Sequence, residues 1–221
     1  MNPALRSSAA HVFVASVEVP EPSPDDLHHL VRVLRLRDGE VVTVSDGVGA
    51  WRVTELAGGA LVPCGEVQGV EAPQRCTIAS AIPKGDRLEW MVQKLTEVGV
   101  TEIVLVHCAR SVVRWDGDRA AKQLARLQRV AREAAVQSRR VWLPTLRGPV
   151  PFAEAAAIPG AVLAEPDGQP GIAASAVIIG PEGGFSAEEL SLPLARLRLV
   201  DTVLRVETAA VVAASALLTT R

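Results

Sequence analysis

Gly180-Pro181-Glu182-Gly183-Gly184 is the stretch whose reading decides the fold. It follows Ala176-Val177-Ile178-Ile179, a short apolar run that predicts a buried strand. It precedes Ser186 with Glu189 three residues later, the pairing of a capping box that opens a helix. A strand, a glycine turn and a helix start in that order mark the place where open α/β folds hold ligands. Three glycines around a rigid proline carry little side-chain bulk, so a ligand can approach the backbone N–H and C=O groups directly. Glu182 is the single charge inside the turn.

Working outward toward the C-terminus, Leu197 to Leu204 predicts another buried strand. It leads through Arg205 and Glu207 into the run Thr208 to Leu218. A helix so apolar on every side is expected to be buried inside protein. At roughly 14 residues and about 21 Å it is too short for a bilayer, which needs about 20 residues. The Gly180 loop and the segment Leu199 to Arg205 are therefore expected to build one compact site.

At 221 residues with 48% hydrophobic content, the chain can form one large domain or two small ones with a real core. Cys64, Cys76 and Cys108 are odd in number and lack C-x-x-C spacing, which supports neither a disulfide framework nor a zinc site. Free thiols fit a reducing cytoplasm. The N-terminal region has no long apolar core with a cleavage site, so secretion is not expected. His11, His28, His29 and His107 have no ligand-like spacing, and no metal is expected.

The net charge is only −2, yet its distribution is uneven. Between Arg110 and Arg147 stand ten basic and three acidic residues, so this segment is +7 in a chain otherwise −9. Such asymmetry is the footprint of a surface that meets phosphates. Arginine outnumbers lysine twenty to three, which suits bidentate contacts and equally fits codon bias.

The first third reads as short strands, Val12 to Val19, Val41 to Ser45, Trp51 to Leu56 and Leu61 to Val70, with one helix capped by Asp25 or Asp26 and running to Leu34. Asp46-Gly47 is a turn signal between strands. The expectation is a small β-barrel over residues 1–72. After Pro73 the pattern alternates: strand Thr77 to Ile82, helix Arg87 to Val98, strand Glu102 to Val106, helix Arg119 to Gln137, strands Val141 to Leu146, Ala161 to Ala164 and Ala176 to Ile179, then the elements above. Alternation predicts a mostly parallel sheet with helices on its faces over residues 73–221. Neither a G-x-G-x-x-G after the first strand nor a P-loop is present, so dinucleotide and nucleotide-triphosphate readings find no support. The helix from Arg119 bears a polar stripe including Lys122, Arg126, Arg129 and Glu133, opposite a core face of Leu124, Leu127, Ala131 and Ala134. Glu133 is the one carboxylate of that stripe, which suits a group that orients a substrate or accepts a proton.

Five ordered motifs carry a resemblance. They are His28-His29-Leu30-Val31-Arg32-Val33-Leu34-Arg35 with Asp46-Gly47; Lys84-Gly85-Asp86-Arg87 running to Gln93-Lys94-Leu95-Thr96-Glu97-Val98-Gly99; Glu133 to Arg140; Ile179 to Ser186; and Val203-Leu204-Arg205-Val206-Glu207-Thr208-Ala209. Over nearly its whole length the chain resembles the RsmE family of ribosomal RNA small subunit methyltransferases, in the SPOUT superfamily. The resemblance implies a PUA-like barrel, a C-terminal α/β domain with a deep trefoil knot against the usual avoidance of threading, and a homodimer in the cytoplasm. It implies S-adenosylmethionine held by Leu163, by Gly180, Pro181, Glu182, Gly183 and Gly184, and by Leu199, Val200, Val203, Leu204 and Arg205. The implied product is N3-methyluridine in 16S rRNA of the small ribosomal subunit, with Glu133 and Glu182 as acceptors or orienting groups and Arg139, Arg140 and Arg205 stabilising charge on the base. Arg6, Arg32, Arg35, Lys84, Arg87, Arg126 and Arg129 are the expected RNA contacts. The chain departs from the family pattern at Val200, where glycine is usual, and at Ala10-His11-Val12-Phe13, where relatives carry basic residues. Two other readings are a methyltransferase acting on a tRNA base or ribose 2′-hydroxyl, and a silent RNA-binding assembly protein in which Val200 has spoiled the cofactor site.

Overall fold

Hydrophobic patterning of two kinds, short strands first and alternating strands and helices later, gives two units in the computed structural model, which describes residues 2–219. One unit is the chain as far as Pro73 together with Ala135–Leu143; the other is Gln74–Ala134 with the chain from Pro144 onward.

The first unit contains α1 (Pro3–Ser7), β1 (Ala10–Phe13), α2 (Pro24–His28), β2 (Val41–Ser45), β3 (Ala50–Ala57), β4 (Ala60–Pro63) and β5 (Gln68–Gly69). Its sheet runs β1-β2-β3-β4 with β5 on β3. The β1–β2 pair is parallel and the other pairs are antiparallel. Val12, Leu30, Val42, Val44, Leu56 and Leu61 form its main core. α2 starts earlier than the Asp25 or Asp26 cap predicts. Ser23 is the N-cap, accepting from Asp26 N with Pro24 in the first turn, where a missing N–H costs nothing. The helix then widens into one π-turn over His29–Val33. The strand expected over Val12 to Val19 ends at Phe13, and the one over Leu61 to Val70 divides into β4 and β5. His11 is buried, with its two ring nitrogens 2.9 Å from Thr43 Oγ1 and Ser45 Oγ, so it is a satisfied core histidine.

Ala135–Leu143 joins this unit rather than the parallel sheet. Gly49 N donates to Val141 O, Leu143 N donates to Gly47 O, and Trp142 Nε1 donates to Val70 O. A Cβ on Gly47 would lie 2.8 Å from the Leu143 side chain, so the Asp46-Gly47 turn is bare because a second segment packs on it. The strand predicted over Val141 to Leu146 is consequently not formed as one piece. Its first residues run along the 47–49 turn, and the sheet strand begins only at Thr145.

The second unit contains β6 (Thr77–Ala81), α3 (Arg87–Val98), β7 (Glu102–His107), α4 (Gly117–Gln137, as far as Ala134), β8 (Thr145–Pro151), α5 (Phe152–Ala156), β9 (Ala161–Gln169), β10 (Ala176–Ile179), α6 (Ala187–Leu190), β11 (Arg196–Leu197) and α7 (Val206–Thr219). Six strands in the order β11-β9-β10-β6-β7-β8 are all parallel, as the alternation predicts. Side-chain alternation along the strands feeds two cores. Ile78, Val177 and Ile179 join Met91, Leu95, Leu127 and Ala210 on one face; Ala79 and Ile178 join Phe152, Leu163 and Phe185 on the other. Leu127, Ala131 and Ala134 of α4 are buried as the stripe predicts. Gly99 ends α3 with φ 110°, a left-handed cap that favours glycine.

Two expectations are corrected here. The strand predicted over Leu197 to Leu204 is only Arg196–Leu197, after which the chain leaves the sheet as a loop up to α7. α7 is not buried on every side of a single chain: Ala210, Ala213, Ala214 and Leu217 are buried, whereas Val211, Val212 and Leu218 are half-buried and Ser215 is exposed. Among the described residues no helix is long and apolar enough to cross a membrane, and no group of three or more His, Cys, Asp or Glu could hold a metal.

Candidate active site

A cavity of about 430 Å³ opens beyond the carboxyl end of β10 and against the middle of its neighbour β9. That places it where parallel sheets bind ligands, and within the size range of small-molecule sites. β9 contributes Ala164, Glu165 and Pro166; the end of β10 and its loop contribute Ile179, Gly180, Pro181, Glu182 and Gly184; the segment before α7 contributes Leu199, Val200, Thr202, Val203, Leu204 and Arg205, followed by Val206 and Ala209. The lining is mainly apolar, with three ionisable groups: Glu165, Glu182 and Arg205.

Local chemistry shapes the loop after β10. Gly184 N donates to Pro181 O, and Gly184 has φ 70°, a conformation costly for residues with a Cβ. A Cβ on Gly180 would sit 3.1 Å from the buried Phe185 ring, so the core on the opposite face of the sheet packs closely under this glycine. Ser186 and Glu189 form the capping box in both directions. Glu189 Oε1 also accepts from Ala109 N at 2.7 Å, and Arg110 Nη1 donates to Gly183 O at 2.9 Å. The segment following β7 thus fastens the loop following β10.

The predicted site residues separate in space. Gly180, Pro181, Glu182, Gly184, Leu199, Val200, Val203, Leu204 and Arg205 come together around the cavity. Gly183 belongs to the loop but does not line it, its carbonyl being taken by Arg110. Leu163 lies in the opposite core with Ile178 and Phe185, because period-two alternation turns it away from the face that its neighbour Ala164 packs against. Glu133 is exposed and outside the lining. Arg139 belongs to the first unit, where its guanidinium donates to Ser8 O at 2.9 Å; burial pushes its pKa down. Arg140 is half-buried and is likewise no part of the lining.

Of the predicted RNA contacts, Arg6, Arg32, Arg35, Lys84 and Arg129 are exposed. Arg126 pairs with Glu89 at 2.6 Å, and Arg87 with Glu207 at 3.6 Å. Glu207 is buried, so its Oε1 ties Arg87 to the N-terminal turn of α7, while its Oε2 has no hydrogen-bond partner among the described residues. Sequence reasoning missed Ala164, Glu165 and Pro166, and it stopped short of Ile179, Val206 and Ala209. The apolar strand pattern at Ala161 to Ala164 ended one residue short of the carboxylate, and nothing local marks β9 as a wall of the cavity.

Comparison with known proteins shows the family. Residues 70–218 match the RNA methyltransferase domain, and residues 23–59 match the RNA methyltransferase PUA domain. Ribosomal RNA small subunit methyltransferase E from Mycobacterium tuberculosis is 34% identical over 87% of this chain and 83% of its own length. The chain belongs to the ribosomal RNA small subunit methyltransferase E family. Its Bacillus subtilis member is 36% identical over 54% of this chain, a match that spans about half (49%) of that relative. Among solved structures, the Neisseria gonorrhoeae family member bound to S-adenosyl methionine superposes with a TM-score of 0.79, at 26% identity over 95% of this chain and 97% of that one. A Legionella pneumophila protein solved with the bound cofactor SAM gives the same TM-score at 29% identity, covering 94% and 96%.

Proposed function

We propose that this chain transfers a methyl group from S-adenosylmethionine to N3 of a uridine in 16S rRNA of the small ribosomal subunit. The observation that carries the reading is the cavity framed by the Gly180–Gly184 loop and the 199–206 segment. The residues fit the cofactor: an apolar slot suits adenine, the bare loop at Gly180 offers backbone groups, and carboxylates in the lining suit a cation. When bound, the cofactor supplies an electrophilic methyl group.

The chain's own residues then divide the work. The apolar lining excludes water from the reacting atoms. Of the two carboxylates named from sequence as proton acceptors, Glu182 lines the cavity and Glu133 does not, so Glu182 takes the N3 proton. Arg205, exposed at the rim, stabilises the negative charge that develops on the uracil ring as that proton leaves. Transfer from such a donor would need N3 aligned with the methyl group rather than a covalent nucleophile on the chain, and the loop and the 199–206 segment would supply that alignment. Within this reading the C-terminal unit carries the trefoil knot of the family, the protein works in the cytoplasm, and it acts as a homodimer. The half-buried Val211, Val212 and Leu218 of α7 and the exposed Val203 support the dimer, since they leave apolar surface uncovered in one chain.

The test is transfer of labelled methyl from S-adenosylmethionine to small ribosomal subunits that lack uridine methylation, with the product nucleoside identified by mass spectrometry. N3-methyluridine in 16S rRNA is the expected result. Absence of transfer, or methylation of a different atom, overturns the assignment.

A further inference from the structure

Glu165 stands apart from the other ionisable groups of the cavity. Glu182 and Arg205 are exposed, whereas Glu165 is half-buried midway along β9. No hydrogen bond or ion pair to a described residue engages its carboxylate. Arg196 is the cation whose charge acts on it, and its guanidinium donates to Leu190 O at 3.0 Å. Asp167 adds a second negative charge nearby. Burial pushes the Glu165 carboxyl upward, Arg196 draws it down and Asp167 pushes it up again, for a net rise. A partly desolvated carboxylate facing the cavity gains from a cation brought to it. The lining as a whole offers two carboxylates against one guanidinium among mainly apolar neighbours.

We propose that Glu165 reads the positive charge of the methyl donor, favouring the sulfonium of S-adenosylmethionine over the neutral thioether of S-adenosylhomocysteine that remains after transfer. This rests on the cofactor reading above. The two ligands share adenosine and the amino-acid end and differ at sulfur by one methyl group and one unit of charge, so a carboxylate placed at the sulfur separates them. The consequence is directional: the same residue that helps load the donor stops holding the product once the charge has gone.

The test measures binding of S-adenosylmethionine, S-adenosylhomocysteine and sinefungin, in which an ammonium group replaces the methylsulfonium, by calorimetry on the full chain and on Glu165→Gln and Glu165→Asp. The wild type is expected to prefer the two cationic ligands. Glu165→Gln is expected to weaken both about tenfold or more while leaving S-adenosylhomocysteine within about twofold. Glu165→Asp, which keeps the charge, is expected to restore part of the preference. Equal weakening of all three ligands by Glu165→Gln would mean that Glu165 holds the shared amino-acid end, and would overturn the proposal. An unchanged Glu165→Gln, or a wild type without preference for the cationic ligands, would overturn it too; the wild-type comparison stands even if a variant fails to fold. A wild type that binds none of the three removes the cofactor reading itself, an outcome distinct from loss of preference alone.

Discussion

Arg110 Nη1 donates to the carbonyl of Gly183 at 2.9 Å, joining the segment after β7 to the loop after β10 across 73 positions of sequence. Next to it, Ala109 N donates to Glu189, the same carboxylate that accepts from Ser186 N in the capping box. The loop after β10 is therefore held by residues outside the cavity lining. Arg110→Ala removes one charge-assisted hydrogen bond at an exposed position, worth about 1–1.5 kcal/mol. The expected outcome is roughly tenfold weaker binding of S-adenosylmethionine with little change in the thermal midpoint. Calorimetry checks it; an unchanged affinity would show that the loop keeps its shape without the clamp.

Arg205 lies at the cavity rim with its side chain exposed, so its removal should not disturb packing. Arg205→Ala is expected to lower methyl transfer at least tenfold, about 1.4 kcal/mol or more of transition-state stabilisation. The decisive comparison is single-turnover rate at saturating cofactor, beside a circular dichroism melt. A normal rate would take Arg205 out of the reacting centre.

On α4 the two arginines that look alike in sequence differ in their surroundings. Arg126 is already neutralised by Glu89, while Arg129 is exposed with no ion pair drawn to it among the described residues. If this helix meets RNA, Arg129→Glu should weaken RNA binding and flatten its dependence on salt, and Arg126→Gln should do so less. Filter binding across a salt series reads both slopes. Equal slopes for Arg129→Glu and the parent would return the stripe to a solvated face.

Glu102 anchors the amino end of β7. Burial would push its carboxyl upward, but hydrogen bonds from Arg147, Thr77 and Arg75 outweigh that and hold it below the usual carboxylate range. A carboxyl whose folded pKa is depressed lends stability that is fully present above the unfolded value, about 4.3, and is lost as pH falls through the folded value. Urea unfolding between pH 7 and pH 3 should therefore show Glu102→Gln less stable than the parent at neutral pH, with the gap closing below about pH 4. A constant gap would mean that the ionised form contributes nothing.

Much of the second unit was legible in the sequence because its signals are local. α3 spans the predicted Arg87–Val98, β10 spans the predicted Ala176–Ile179, and the Ser186–Glu189 capping box forms as read, since periodicity, a left-handed glycine and a cap are properties of a few adjacent residues. The strand predicted through Leu204 failed for a related reason. Apolar residues such as Leu199 and Leu204 are as useful for lining a cavity as for filling a core, and local pattern cannot separate the two.

What the sequence by itself determined was the order of elements, the glycine loop after β10 and the residues that crowd toward it. What only the tertiary structure decided was which charged groups meet. Glu165 reaches the cavity because β9 pairs with β10 in parallel register, with Leu163 beside Ile178. Arg139 is drawn to the carbonyl of Ser8, 131 positions away. Trp142 is held by Val70, out of the strand its β-forming neighbours predict. Each of these depends on a segment distant in the chain, which no pattern of adjacent residues encodes.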